Sequence, residues 1–129
     1  MNNFIGELLG TFVLVLLGDG VVGGNVLKGT KEEGTGWNAI VIGWGVACTI
    51  GVYVSGILSP AHLNPAVTFA MAATGNLAWS QVPVFLAGQF LGAMLAACAL
   101  CLHYYPHFKE TTDKGAILGT FSTAPAIRH

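Results

Sequence analysis

Charge is what this sequence has least of. Lysine and arginine number 5, aspartate and glutamate 6, and together they make up 9% of the 129 residues, where a soluble domain carries charge on about a quarter of its positions. Too few charged side chains are present to cover a water-facing surface, and 53% of the residues are hydrophobic, with a mean hydropathy of +0.67. The chain is expected in a lipid bilayer. A formal net charge of −1 leaves no basic field to hold nucleic acid, and that partner is excluded. Cysteine is scarce too: Cys48, Cys98 and Cys101 all fall in apolar segments, an odd set that makes no disulfide framework. The opening stretch MNNFIGELLGTFVLVLLG lacks the basic region of a signal peptide and carries Glu7 inside its apolar run. A retained anchor is expected rather than a cleaved leader.

What is present is a series of long apolar runs. Three of them, about residues 4–27, 38–58 and 82–102, are long enough to cross roughly 30 Å of hydrocarbon at about 1.5 Å per residue. Between the first two, KGTKEEGTGW is a polar turn rich in charge and glycine. After the third, residues 103–129 mix charge, Pro and Gly with an apolar patch at Ile117 to Phe121, and are expected to form an extramembrane loop. The pairs Gly6/Gly10, Gly20/Gly24 and Gly88/Gly92 are spaced for close approach of helix backbones.

The stretch SPAHLNPAVTFAMAATG, Ser59 to Gly75, fits none of these classes. Its apolar part, Asn64 to Ala73, is about half the length a span needs. A short helix preceded by irregular backbone is tolerated at membrane depth only where protein or a water-filled cavity surrounds it, so residues 59–73 are read as a re-entrant loop and half-helix. Asn64 suits the N-cap of that helix and Pro65 its first position, where a missing N–H removes an orphan donor. An asparagine cap keeps an NH2 free to donate elsewhere, which aspartate lacks. Pro60 blocks regular helix upstream, leaving the carbonyls of the stretch Ser59 to Leu63 free to face a lumen. The half-helix N-terminus adds a partial positive charge that disfavours cations and protons. Acceptors in series with a donor suit a neutral hydrogen-bonding solute, such as water or a small polyol.

These residues carry a resemblance. SPAHLNPAVTFA is similar to the first of the two signature loops of the major intrinsic proteins, and IGELLGTFVLVLLGDG, AGQFLGA and GTFSTAP extend the likeness along the chain. Trp44, eighteen residues before His62, falls where the glycerol-conducting branch places the tryptophan of its narrow filter. The resemblance implies an all-α membrane protein with three transmembrane helices plus one re-entrant half-helix, equivalent to one inverted repeat of the aquaporin fold. It further implies a passive channel, with Asn64, Pro65 and Ala66 at the constriction. The carbonyls of Pro60, Ala61 and His62 would accept from the solute, and Trp44 would form an apolar wall. Glu7, which bottom-up should be inward-facing and paired, would accept hydrogen bonds from the loop backbone, with Gln89 in a related supporting role. Pro60 stands where relatives commonly have glycine. The implied partners are glycerol or a similar small polyol, water, the lipid bilayer and, for a full-length form, a homotetramer. The implied setting is a multi-pass cell-membrane protein with its N-terminus in the cytoplasm.

Other readings compete. The likeness covers only the first half of such a channel: a second Asn-Pro-Ala loop, its neighbouring arginine and three further helices are not in these 129 residues, so a half-channel inactive by itself is an alternative. An intramembrane enzyme using His62 as a base is another, although no carboxylate, serine nucleophile or second histidine stands near it in sequence. Cys98 and Cys101 with His103 and His107 have a superficially metal-like spacing, but small core thiols and interfacial rings are expected, and neither metal nor cofactor. Lys28, Lys31, Lys109, Lys114 and Arg128 lie in the first loop and the tail, where positive-inside counting makes those segments cytoplasmic, opposite to the family orientation. Asp19 receives no role: an intramembrane carboxylate is a functional-site candidate, and one near a helix end also reaches the interface.

Overall fold

The computed structural model describes residues 1–127; Arg128, counted above among the cations of the tail, lies outside them. Six α-helices and one 3-10 turn follow in order: α1 (Asn2–Val26), α2 (Trp37–Gly56), α3 (Pro65–Ala73), the 3-10 turn Trp79–Gln81, α4 (Val82–His103), α5 (Tyr105–Glu110) and α6 (Lys114–Gly119). No strand forms among the described residues. Three segments are long and apolar enough to span a membrane: α1, α2 and the stretch Trp79–His103. At most 33% of the most apolar window of each is buried within the chain. The remaining apolar surface, including Val41, Ile42, Tyr53, Phe90 and Met94, faces outward, as a bilayer solvent allows.

Side-chain neighbours fix the directions of the spans. On α2, Gly43 faces Val21, Trp44 faces Gly18, and Ser55 faces Gly10, so α1 and α2 run antiparallel. On α4, Gly88 faces Phe4 and Glu7, and Gly92 faces Leu8 and Phe12, so α4 runs parallel to α1. α1 therefore lies between the other two, and α3 rests on α4. One end of the bundle holds the N-terminus and residues 57–81; the opposite end holds residues 27–36 and the tail.

The small-residue pairs divide by use. At Gly88 any side-chain carbon would sit 2.7 Å from the Phe4 carbonyl oxygen, and Gly92 presses as closely on Leu8, so this pair sets the α1–α4 approach. Gly6 and Gly10 instead make room for Ser59, Ser55 and Leu63, admitting the loop. Gly20 and Gly24 meet only side chains at 3.3 Å or more, and no backbone approaches there.

The tail, expected from sequence as an extramembrane loop, carries regular structure of its own. It forms two short helices, and α6 folds back onto α1. Asp113 Oδ1 caps α6 through Gly115 N at 2.7 Å. The Lys28 N–H donates to Thr111 Oγ1 at 2.9 Å, His107 Nδ1 bonds the Lys28 carbonyl at 2.8 Å, and Tyr104 donates to the Gly20 carbonyl at 2.9 Å. The first two bonds satisfy the Lys28 backbone just past the end of α1, which regular helix leaves open, and the third adds a second donor to a carbonyl inside the helix. The cysteines depart from expectation: Cys48, Cys98 and Cys101 are exposed on outward faces rather than in the core. Where lipid is the solvent, a small weakly polar thiol has no need of the interior.

Candidate functional site

The segment between α2 and α3 turns back into the bundle. Leu63 packs against Gly10 of α1 and Gly51 of α2. Gly10 lies about 12 Å along a helix about 37 Å long, at about 1.5 Å per residue, so α3 starts well inside the bundle and exits on the side its chain entered. Asn64, in extended conformation at φ −149° and ψ 126°, caps α3 by accepting from Ala66 N at 2.8 Å, with Pro65 at the first position. Its Nδ2 makes no hydrogen bond among the described residues, and the side chain is exposed. At the other end Gly75, at φ 78°, turns the chain out of the helix through a left-handed conformation that suits glycine.

Glu7 organises the loop. It is fully buried, and its carboxylate accepts four hydrogen bonds: Ser59 Oγ at 2.8 Å and His62 N at 2.9 Å on Oε1, Leu63 N and Gln89 Nε2 both at 2.8 Å on Oε2. Proton counting extends the chain of bonds. Ser59 gives its one hydrogen to Glu7, so Ser55 Oγ, 2.8 Å away, donates to Ser59, as does Ala61 N at 3.0 Å. Gln89 uses its second amide hydrogen on Thr68 Oγ1 at 3.0 Å. Thr68 gives its hydrogen to the Asn64 carbonyl at 3.2 Å, which leaves His62 Nδ1, also at 3.2 Å, as a donor to the Thr68 oxygen. The His62 ring lies 4.6 Å from the buried Phe85 ring, centroid to centroid.

The consequence for the carbonyls follows from peptide geometry. All peptide bonds among the described residues are trans, which sets each C=O opposite the N–H of the same plane. The N–H groups of His62 and Leu63 point at Glu7, so the carbonyls of Ala61 and His62 point away from it. The Ala61 N–H points at Ser59, so the Pro60 carbonyl points away from that hydroxyl. None of the three accepts a hydrogen bond among the described residues. Aiming successive N–H groups at one anion requires unusual backbone: Ala61 (φ 57°) and Leu63 (φ 53°) occupy the left-handed region. Each such non-glycine residue costs on the order of 1–3 kcal/mol and persists where its surroundings over-determine it. The four-donor carboxylate supplies that constraint.

Trp44 is not part of this cluster. It stands seven residues before Gly51 on α2, about 10 Å farther along the helix axis and toward the tail end. Its indole lies over Gly18, where an added side-chain carbon would meet the ring at 2.5 Å. With Asp19, Trp37 and Ile40 it lines a cavity of about 840 Å³, whose other wall is α6 and residues Ser122 to Ala124. Sequence reasoning thus named Glu7, Gln89, Pro60, Ala61, His62, Asn64, Pro65 and Ala66, which the fold brings together, and Trp44, which it sets apart. It missed Ser55, Ser59, Thr68, Phe85 and Gly18. Thr68 alone left a readable sign, standing four residues after Asn64 on the same helical face. No cluster of metal-ligating side chains occurs among the described residues.

Comparison with known proteins places the chain among its relatives. The sequence pattern described as Major intrinsic protein matches residues 1–126. The chain belongs to the major intrinsic protein family. Among relatives of this major intrinsic protein, the Glycerol uptake facilitator protein 3 of Lactiplantibacillus plantarum is 52% identical over 124 residues, covering 96% of this chain and 52% of that protein. The Glycerol uptake facilitator protein of Streptococcus pneumoniae is 51% identical over 128 residues, covering 99% of this chain and 55% of the relative. The X-ray structure of the aquaglyceroporin from Plasmodium falciparum superposes with a TM-score of 0.78 at 35% identity, over 84% of this chain and 44% of that one. This major intrinsic protein chain spans about half the length of the relatives it matches. It is a multi-pass membrane protein with the all-helical aquaporin-like architecture of that family.

Proposed function

We propose that these residues form one wall of a passive transmembrane channel for glycerol and other small neutral solutes, water among them. The observation that carries the reading is the row of carbonyls at Pro60, Ala61 and His62, turned away from Glu7 and in series with the uncommitted Nδ2 of Asn64. A polyol hydroxyl donates to the first and accepts from the second, so a solute exchanges its water shell for protein groups step by step. Ala66 and Pro65 hold the cap rigid at the inner end of α3. Trp44, about 10 Å beyond the level of Leu63, offers an apolar face to the carbon backbone of the solute. The names of the relatives, glycerol uptake facilitators and an aquaglyceroporin, support glycerol as the solute.

An enzymatic use of His62 loses support, because its ring nitrogen is bound to Thr68, its face lies on Phe85 and its backbone N–H belongs to Glu7. The 129 residues by themselves leave Asn64 on an exposed face, which favours a second reading: alone they supply half a lumen and do not conduct. Assembly as a homotetramer in the cell membrane, with the N-terminus cytoplasmic, completes the proposal. In that orientation the described lysines lie outside, interspersed with Glu32, Glu33, Glu110 and Asp113, so the opposing charge bias is weak. Reswelling of liposomes under a glycerol gradient tests both readings. Rapid glycerol entry with the protein at its full natural length, and none with residues 1–129 alone, is expected; absence of entry at full length would refute the channel, and entry with 1–129 alone would refute the half-lumen.

A further inference from the structure

Asp19 has no part in the loop network. It sits on α1 next to Gly18, the residue on which the Trp44 indole lies, and both Asp19 and Trp44 line the cavity at the tail end of the bundle. Its carboxylate makes no ion pair with a described residue, the one such pair being Lys28 with Glu33, and forms no side-chain hydrogen bond there. Lys114 lines the same cavity without reaching it. An uncommitted carboxylate within a span is costly and is kept where it faces a polar solute path or a partner. Here the path has a definite composition. Trp44 and Ile40 present apolar surface, while Asp19 presents two oxygens that only accept hydrogen bonds. A small polyol has the complementary form, carbon on one edge and hydroxyl donors on the other.

We infer that Asp19 is a solute-contacting residue at the Trp44 end of the passage, accepting hydrogen bonds from polyol hydroxyls and so favouring polyols over water. This rests on the channel reading of the same chain and adds a selectivity residue to it. Water donates to the same two oxygens, but only a polyol adds contact between its carbon edge and the apolar surface of Trp44 and Ile40. Asp19 and the loop carbonyls then form two acceptor stations at different depths, with Trp44 beside the outer one.

The test is the ratio of glycerol to water permeability in liposomes holding the protein at its full natural length, as wild type, Asp19→Asn, Asp19→Leu and Asp19→Glu. Removing the acceptor pair in Asp19→Leu lowers glycerol permeability by roughly tenfold, the worth of a hydrogen bond to a charged group, with water permeability retained. Asp19→Asn falls between, and Asp19→Glu, which restores both acceptors, recovers the polyol preference. If glycerol and water permeability fall together in every variant, or if neither moves, the assignment is wrong. Wild-type vesicles that pass no glycerol would instead sink the channel reading, and this inference with it.

Discussion

The two ends of the bundle are held in opposite ways. At the loop end, polar groups converge on Glu7, a single fully buried carboxylate, and a left-handed backbone is fixed by hydrogen bonds at every turn. At the tail end, Trp44 is placed by packing on Gly18, Asp19 has no side-chain partner among the described residues, and one wall of the cavity is the short helix α6 folded back onto α1. The first arrangement fixes atoms where hydrocarbon gives no second chance, since an unpaired backbone group there costs several kcal/mol. The second leaves a wide space bounded by surfaces that can be exchanged without unfolding the chain. Variation in the Glu7 cluster that holds the loop should therefore be read in stability, and variation at the tail end, like variation at the uncommitted Asn64 Nδ2, in permeation.

The largest expected effect is at Glu7. Glu7→Gln turns one acceptor oxygen into a donor facing other donors, and at about 1–3 kcal/mol for each buried group left unsatisfied it destabilises the fold by about 3 kcal/mol or more. A fall in the thermal midpoint in detergent, with faster hydrogen exchange at His62 and Leu63, is the check. An unchanged midpoint would mean that the loop holds itself. Next comes Gly92→Val, which forces side-chain carbon against the Leu8 carbonyl; overpacking of this kind costs typically about 1–3 kcal/mol, measurable by the same unfolding curve. A smaller effect is expected for Gly18→Ala, where the added carbon meets the Trp44 ring at 2.5 Å and a side chain rather than backbone has to shift. About 1 kcal/mol of stability is lost, and the glycerol-to-water permeability ratio shifts more than the midpoint does.

The smallest effect belongs to the exposed Lys28–Glu33 pair, 2.6 Å apart. Hydrogen bonds from Lys28 and from the Gly29 N–H hold the Glu33 carboxyl below its ordinary range, so what it adds is present at neutral pH and is lost as acid protonates it in the folded state. The same bond holds Lys28 above its ordinary range, so its share is lost only as alkali removes its proton. Lys28→Ala is expected to leave the unfolding midpoint at pH 7 almost unmoved. A large drop there would show that the first loop, and not the Glu7 cluster, limits stability.

The loop end was the more legible of the two in sequence. Residues of unusual type mark it: a carboxylate in an apolar run, an Asn-Pro pair at the head of a short apolar segment, a second proline upstream. Each has a local physical reading, as cap, helix start or blocked helix. What stayed hidden was the left-handed backbone at Ala61 and Leu63, because neither residue type announces it, and it arises from a carboxylate more than fifty positions away. The tail end was legible in its spans and not in its closure. α5 and α6 form from a segment with no helical period long enough to see, stabilised by Asp113 and by contacts to the first loop. Trp44 carried no local sign either; its placement over Gly18 exists only once α1 and α2 are antiparallel. Of the glycine pairs, Gly88/Gly92 make the close backbone approach their spacing announced and Gly20/Gly24 do not, since spacing identifies a smooth face and not what lies against it.

The central claim is that the loop end meets the solute through Asn64 Nδ2 and the carbonyls that Glu7 turns outward. Asn64→Asp tests it most directly, because aspartate caps a helix as well as asparagine does but has no NH2 to donate. Glycerol permeability is measured in liposomes with the protein at its full natural length, alongside the thermal midpoint. The account predicts a marked loss of glycerol flux with an unmoved midpoint. Undiminished flux in the variant would contradict it.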